Sequence, residues 1–129
     1  MPLSLVFAMT VLFPTVTLTV PITPFVDTFS TSDLMAIATS SAAKYHLTKK
    51  QTARMLAVVN CESGWVATST GDYINGKPTS FGLAQFHNPK KWGITKEQAF
   101  DPYISLDLMA SVWSERYSEW SCYTLLFHS

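Results

Sequence analysis

The residues with the best claim to chemistry lie in Cys61-Glu62-Ser63-Gly64, where an apolar stretch gives way to a polar, glycine-rich one. Only nine carboxylates occur in 129 residues, so each can be weighed individually. Glu62 follows the run Ala53-Arg54-Met55-Leu56-Ala57-Val58-Val59-Asn60, which reads as a helix in a core, and Gly64 supplies the residue type that closes helices. A carboxylate in a last helical turn meets the negative end of the helix dipole and is mildly disfavoured. Beside apolar neighbours it is also desolvated, which raises its pKa toward that of a general acid working near neutrality. Asp72 comes ten residues later, in a polar Gly71-Asp72-Tyr73 turn where a carboxylate stays ionised. Two carboxyls in unlike environments are what acid and base roles in glycoside hydrolysis require. The competing reading of Asp72 is a turn former bonding its own backbone. The cysteines and histidines show no metal-ligand spacing, and Cys61 and His87 show no nucleophile–base spacing, so neither a metal nor another cofactor is called for.

The elements that must position these groups are mostly helical. Asp33 opens a helix over Ser32–Tyr45 with Leu34, Ile37, Ala38 and Ser41 on one face, and His46-Leu47 breaks it. Thr48-Lys49-Lys50-Gln51 is a capping box, in which Thr accepts from a backbone N–H and Gln reaches back. The helix it opens runs to about Ser63 with a stripe of Ala53, Leu56 and Val59, joined by Met55. Residues 64–80 form a loop, with a short hairpin at the turn dipeptide Asn75-Gly76. Phe81–Phe86 reads as a short helix ended by His87-Asn88-Pro89, with His87 as a cap or a solvent-facing residue. Thr95-Lys96-Glu97-Gln98 repeats the capping box, and Asp101-Pro102 caps a long helix to about Trp120. Leu106, Met109, Ala110, Trp113 and Tyr117 share a face of that helix. Trp65, Trp92 and Tyr73 are candidates for stacking on sugar rings, whereas Trp113 and Trp120 read as core.

Formal net charge is zero and the nine basic residues are scattered, which excludes a nucleic-acid footprint. Residues 1–26 carry no charged side chain, and Leu5–Phe13 is an apolar run, with Thr10 its one polar residue, of signal-peptide length and short for a membrane span. Pro14, Pro21 and Pro24 argue against a straight transmembrane helix. Residues 1–30 are therefore read as signal peptide or anchor plus linker, and 31–129 as one domain. Contact with a membrane, if any, falls to residues 1–26. The protein is expected to be exported, into the periplasm, the medium or the cell surface, where Cys61 and Cys122 can form one disulfide tying the acid's helix to the chain's end.

Taken together, Cys61-Glu62-Ser63-Gly64-Trp65 and Ser80-Phe81-Gly82-Leu83-Ala84-Gln85-Phe86 resemble the lysozyme-like superfamily of lytic transglycosylases and goose-type lysozymes. Those enzymes carry Glu-Ser at a helix end and Gly-Leu-x-Gln after it, and often Asp-Pro before a later helix, as at Asp101-Pro102. The resemblance spans about residues 45–123. It implies a mainly α, lysozyme-like domain with a glycine-rich loop or short hairpin after the catalytic helix. It also implies action on peptidoglycan glycan strands, and the protein is expected to be a monomer. Glu62 would protonate the oxygen between N-acetylmuramic acid and N-acetylglucosamine, then act as base on the muramoyl 6-hydroxyl to leave a 1,6-anhydro end. Ser63 and Gln85 would orient the acid or the sugar, although Gln85 also reads as a buried structural amide, and Ser80 would bond near the N-acetyl group. Goose-type enzymes have aspartates in the loop that holds Asp72, which keeps hydrolysis by water open. The family's late Tyr-Asn-x-Gly segment has no counterpart, and Tyr123 is the candidate for its tyrosine. The alternatives are a non-catalytic glycan-binding module of the same fold and a structural helical domain on a membrane anchor.

Overall fold

The computed structural model describes residues 29–128. The apolar run and the linker after it, through residue 28, lie outside the described residues, as does their reading as signal or anchor. Helix α1 spans Thr31–Lys44 and begins one residue before the sequence suggests, because Ser30 and Asp33 form a reciprocal capping box with both bonds at 3.0 Å. Its buried residues are Leu34, Ala38, Ser41 and Ala42. His46 then turns the chain with a left-handed φ of 58°.

Helix α2, Lys49–Ser63, opens on the Thr48/Gln51 capping box and closes on Gly64, left-handed at φ 61°. Its buried face is Met55, Val58, Val59 and Ser63; Ala53 is exposed and Leu56 only half-buried. The expected stripe is thus rotated. Leu56–Val59 is apolar on every side, so periodicity could not say which face the core would take.

Residues 64–88 leave the helical pattern. Strands β1 (Thr70–Gly71), β2 (Ser80–Phe81) and β3 (Phe86–His87) form an antiparallel sheet in that order. Between β1 and β2 the chain makes a second, outer hairpin at Ile74 and Lys77, which exchange backbone bonds of 2.8 and 3.0 Å. Its two central residues, Asn75 and Gly76, both have positive φ (53° and 77°), as a type I′ turn requires. The short helix expected at Phe81–Phe86 is not formed. Gly82 (φ 86°) and Gln85 (φ 51°) are both left-handed, so residues 82–85 reverse the chain and Phe86 pairs back on Phe81. The glycine is needed here, since a Cβ on Gly82 would lie 1.8 Å from the Ala99 carbonyl oxygen.

A 3-10 turn at Pro89–Trp92 leads to α3 (Lys96–Phe100), capped by Thr95 and Gln98, and then to α4 (Pro102–Arg116). The Asp101 carboxylate caps α4 by accepting from the N–H groups of Tyr103 and Ile104. α4 lies along α1 and buries Leu106, Met109, Ala110 and Trp113, while Tyr117 stays exposed just beyond its end. The helix stops four residues short of Trp120, continuing as a 3-10 turn at Tyr117–Glu119, where Arg116 forks onto the Glu119 carboxylate. Helix α5, Ser121–Phe127, follows. It is too short for periodicity to register and has no side-chain cap. It is held instead by the Cys61–Cys122 disulfide (Cα–Cα 6.0 Å) and by Tyr123 packed among Trp113, Tyr117 and Phe127. The described chain is mainly helical, and none of its helices is long and apolar enough to cross a membrane.

Candidate active site

The disulfide that joins α2 to α5 is also what builds the site. Cys61 and Cys122 bring the backbone N–H of Cys122 to 3.3 Å from Glu62 Oε2, so the carboxyl group is pinned at the junction of the two helices. Glu62 is half-buried, and this desolvation pushes its pKa above the ordinary carboxylic value of 4.5. The Cys122 N–H opposes the shift by stabilising the charged form, and the negative charge of Asp72 adds to it. The site therefore holds its central carboxyl toward the protonated, proton-donating state.

Glu62 opens onto a cleft of about 560 Å³ between the sheet and the start of α5. Asp72, Tyr73, Gln85 and His87 line its sheet side, and Trp92, Glu119 and Trp120 the other. Trp92 and Trp120 are held by each other and by Phe86, with ring centroids 4.9–6.1 Å apart, and the Arg116 guanidinium covers Trp92 at 3.8 Å. The Trp120 indole N–H donates to the Ala84 carbonyl at 2.7 Å, fixing the 82–85 turn to the root of α5. A larger groove of about 670 Å³ lies between α1 and α4. Its two charged groups, Lys44 and Asp107, are paired with each other at 2.9 Å, which leaves it no free acid.

The residues singled out from sequence fall into two groups. Glu62, Asp72, Tyr73 and Gln85 meet in the cleft. Gln85 also works as a latch: its amide nitrogen donates to the carbonyls of Ser69 (3.0 Å) and Gly82 (2.9 Å), and its Oε1 would lie 2.5 Å from a Cβ on Gly71. Ser80 is wholly buried beneath the cleft and its hydroxyl donates to Asp72 Oδ2. Ser63 turns away, donating to the Val59 carbonyl one turn back at 3.0 Å. Tyr123 lies on the other side of α5, where Arg54 donates to its hydroxyl at 2.8 Å. Trp65 is buried in the core. Trp120, read as core, is both buried and part of the cleft wall.

His87 caps no helix; it is half exposed to solvent, as the second of its two readings has it, and it also faces other side chains. It is the β3 partner of Ser80, and its Nδ1 lies 3.1 Å from Thr79 Oγ1, 3.2 Å from Ser80 Oγ and 3.9 Å from Asp72 Oδ2. The signal for this was present in the sequence. Ser80-Phe81 and Phe86-His87 mirror each other across four residues, which is a hairpin pattern and places Ser80 opposite His87. Among the described residues, no group of three or more His, Cys, Asp and Glu is placed to hold a metal ion. Comparisons with known protein families, curated proteins and solved structures find no match to this chain.

Proposed function

We propose that the protein is a lysozyme-like glycosidase that cleaves the β-1,4 bond between N-acetylmuramic acid and N-acetylglucosamine in peptidoglycan, with Glu62 as its general acid. The observation that carries the reading is the half-buried Glu62, its pKa raised by desolvation, opening onto a cleft walled by Trp92, Trp120 and Tyr73. The exposed ring of Tyr73 on the cleft wall suits the apolar face of a sugar, and a proton-bearing carboxyl suits a glycosidic oxygen. The specific substrate rests on the resemblance of Glu62-Ser63 and Ser80-x-Gly82-Leu83-x-Gln85 to the motifs of lytic transglycosylases and goose-type lysozymes. In the leading reading Glu62 returns as base on the muramoyl 6-hydroxyl, so the reaction is a lytic transglycosylation. A hydrolytic branch is favoured by one further observation: Asp72 stands near enough for its charge to act on Glu62. The Cys61–Cys122 bridge fits an exported enzyme.

Mass spectrometry of peptidoglycan digested with the purified protein tests the proposal. Soluble fragments with 1,6-anhydromuramoyl ends support transglycosylation, and reducing ends support hydrolysis. Binding to the wall with no released fragment would instead identify a non-catalytic glycan-binding module.

A further inference from the structure

The cluster of hydroxyls around His87 allows its protons to be counted. Each hydroxyl carries one hydrogen and can accept others'. The Thr79 hydroxyl donates to the backbone carbonyl of Asp72, and the Ser80 hydroxyl donates to the Asp72 carboxylate. Both hydrogens are thereby spent, yet both oxygens lie within hydrogen-bond distance of His87 Nδ1, at 3.1 and 3.2 Å. Two oxygens with no hydrogen left to give can only accept, so Nδ1 must be the N–H that donates. In the neutral ring this leaves Nε2 as a bare lone pair, because only one imidazole nitrogen is protonated. Nε2 makes no hydrogen bond among the described residues, the ring is half exposed, and His87 lines the same cleft as Glu62.

We infer that His87 is a second catalytic residue, a base whose Nε2 takes the proton of an attacking water, with Thr79, Ser80 and Asp72 as the residues that fix its tautomer. The inference rests on the proposed glycosidase reading and assigns its hydrolytic branch. As the C1–O bond breaks, the leaving oxygen takes the Glu62 proton, the water oxygen bonds C1, and the water proton passes to Nε2. The imidazolium then releases one proton to solvent and Glu62 takes one back, so the site returns to its starting state. The Asp72 carboxylate lies 3.9 Å from Nδ1 and accepts the hydrogen of the Ser80 hydroxyl that faces that nitrogen. Asp72 is therefore a positioning residue rather than the base.

The test uses His87→Asn, whose side-chain N–H can still serve the Thr79 and Ser80 oxygens but which has nothing in place of Nε2. The full chain and the variant are compared on intact peptidoglycan, counting reducing and 1,6-anhydro ends by mass spectrometry, with thermal melting as the check on folding. The expected result is that the wild type yields both kinds of end. The variant melts within a few degrees of it and loses about 100-fold or more of its reducing ends while keeping its anhydro ends, in the range general-base removal gives. His87→Gln, which lacks the Nδ1 donor as well, should lose reducing ends equally. Asp72→Asn should lower them less. An unchanged ratio of ends in His87→Asn, or a wild type that yields anhydro ends alone, overturns the role of His87 and leaves the glycosidase reading standing. A wild type that releases no fragment overturns both.

Discussion

Removing the disulfide should both loosen the fold and move the acid, and the two effects can be sized separately. The bridge closes a loop with a sequence separation of 61 residues. On the chain-entropy account, cross-linking a loop of that length removes about 14 cal/mol/K from the unfolded chain, or about 4 kcal/mol at 25 °C. A domain of about 100 residues loses roughly 4–8 °C of Tm per kcal/mol, so the Cys61→Ala/Cys122→Ala variant should melt roughly 15–30 °C lower. Urea titration followed by circular dichroism gives the free energy directly, provided oxidised protein and variant unfold in single transitions. The electrostatic consequence is independent of that loss. Without the bridge, the Cys122 N–H is no longer held at 3.3 Å from Glu62 Oε2, and it is the contact that keeps the Glu62 pKa down. Loosening α5 also admits water to Glu62, however, and burial is the larger cause of its raised pKa, so the alkaline limb of activity, where Glu62 gives up its proton, should move to lower pH in the variant at temperatures where it is still folded. A stability loss under about 1 kcal/mol would refute the entropy argument. An unmoved limb would refute the placement of Glu62.

Three further outcomes follow from single sites. Gly82→Ala forces a Cβ onto the Ala99 carbonyl at a left-handed φ, so backbone must shift, and a loss of about 3–5 kcal/mol is expected in urea unfolding; a loss under 1 kcal/mol would mean the turn can re-form around the methyl. Ser105 is wholly buried in α4 and its hydroxyl has no hydrogen-bond partner among the described residues, so Ser105→Ala should stabilise by about 1 kcal/mol, read as a higher Tm. Glu62 holds its proton more tightly folded than unfolded, so the stability linked to that proton is complete below the ordinary value of 4.5 and is lost as pH rises through the raised one. Glu62→Gln should accordingly match the wild type in Tm near pH 4 and gain on it toward pH 7, and a constant difference would argue against the raised pKa.

Local chemistry made much of the helical frame readable from sequence. Thr48/Gln51, Thr95/Gln98 and Asp101-Pro102 each placed a helix start correctly, because capping is decided by a few adjacent residues. The Asn75-Gly76 turn was legible for the same reason. Sequence and structure differ where distant parts of the chain decide. The buried face of α2 is not legible in sequence because its apolar segment offers no polar side to orient it. Phe81–Phe86 reads as a helix in sequence, whereas Gly82 and Gln85 adopt left-handed turns set by contact with Ala99 and by the Gln85 latch onto Ser69. A helix there leaves His87 as a cap or a solvent-facing residue, whereas on β3 it is half exposed and also faces Ser80. Glu62 and Asp72 could be named from sequence as carboxyls in unlike surroundings. Their shared cleft depends on the sheet and the disulfide.

The central claim is that Glu62 is the acid, and its most direct test is the rate at which Glu62→Gln releases soluble fragments from peptidoglycan. Glutamine keeps the size of the side chain and an oxygen for the Cys122 N–H, but it has no proton to give. The account predicts a rate at least about 100-fold below wild type, with wall binding retained and a Tm at pH 7 no lower than that of the wild type. Release at close to the wild-type rate by a folded Glu62→Gln protein would contradict it.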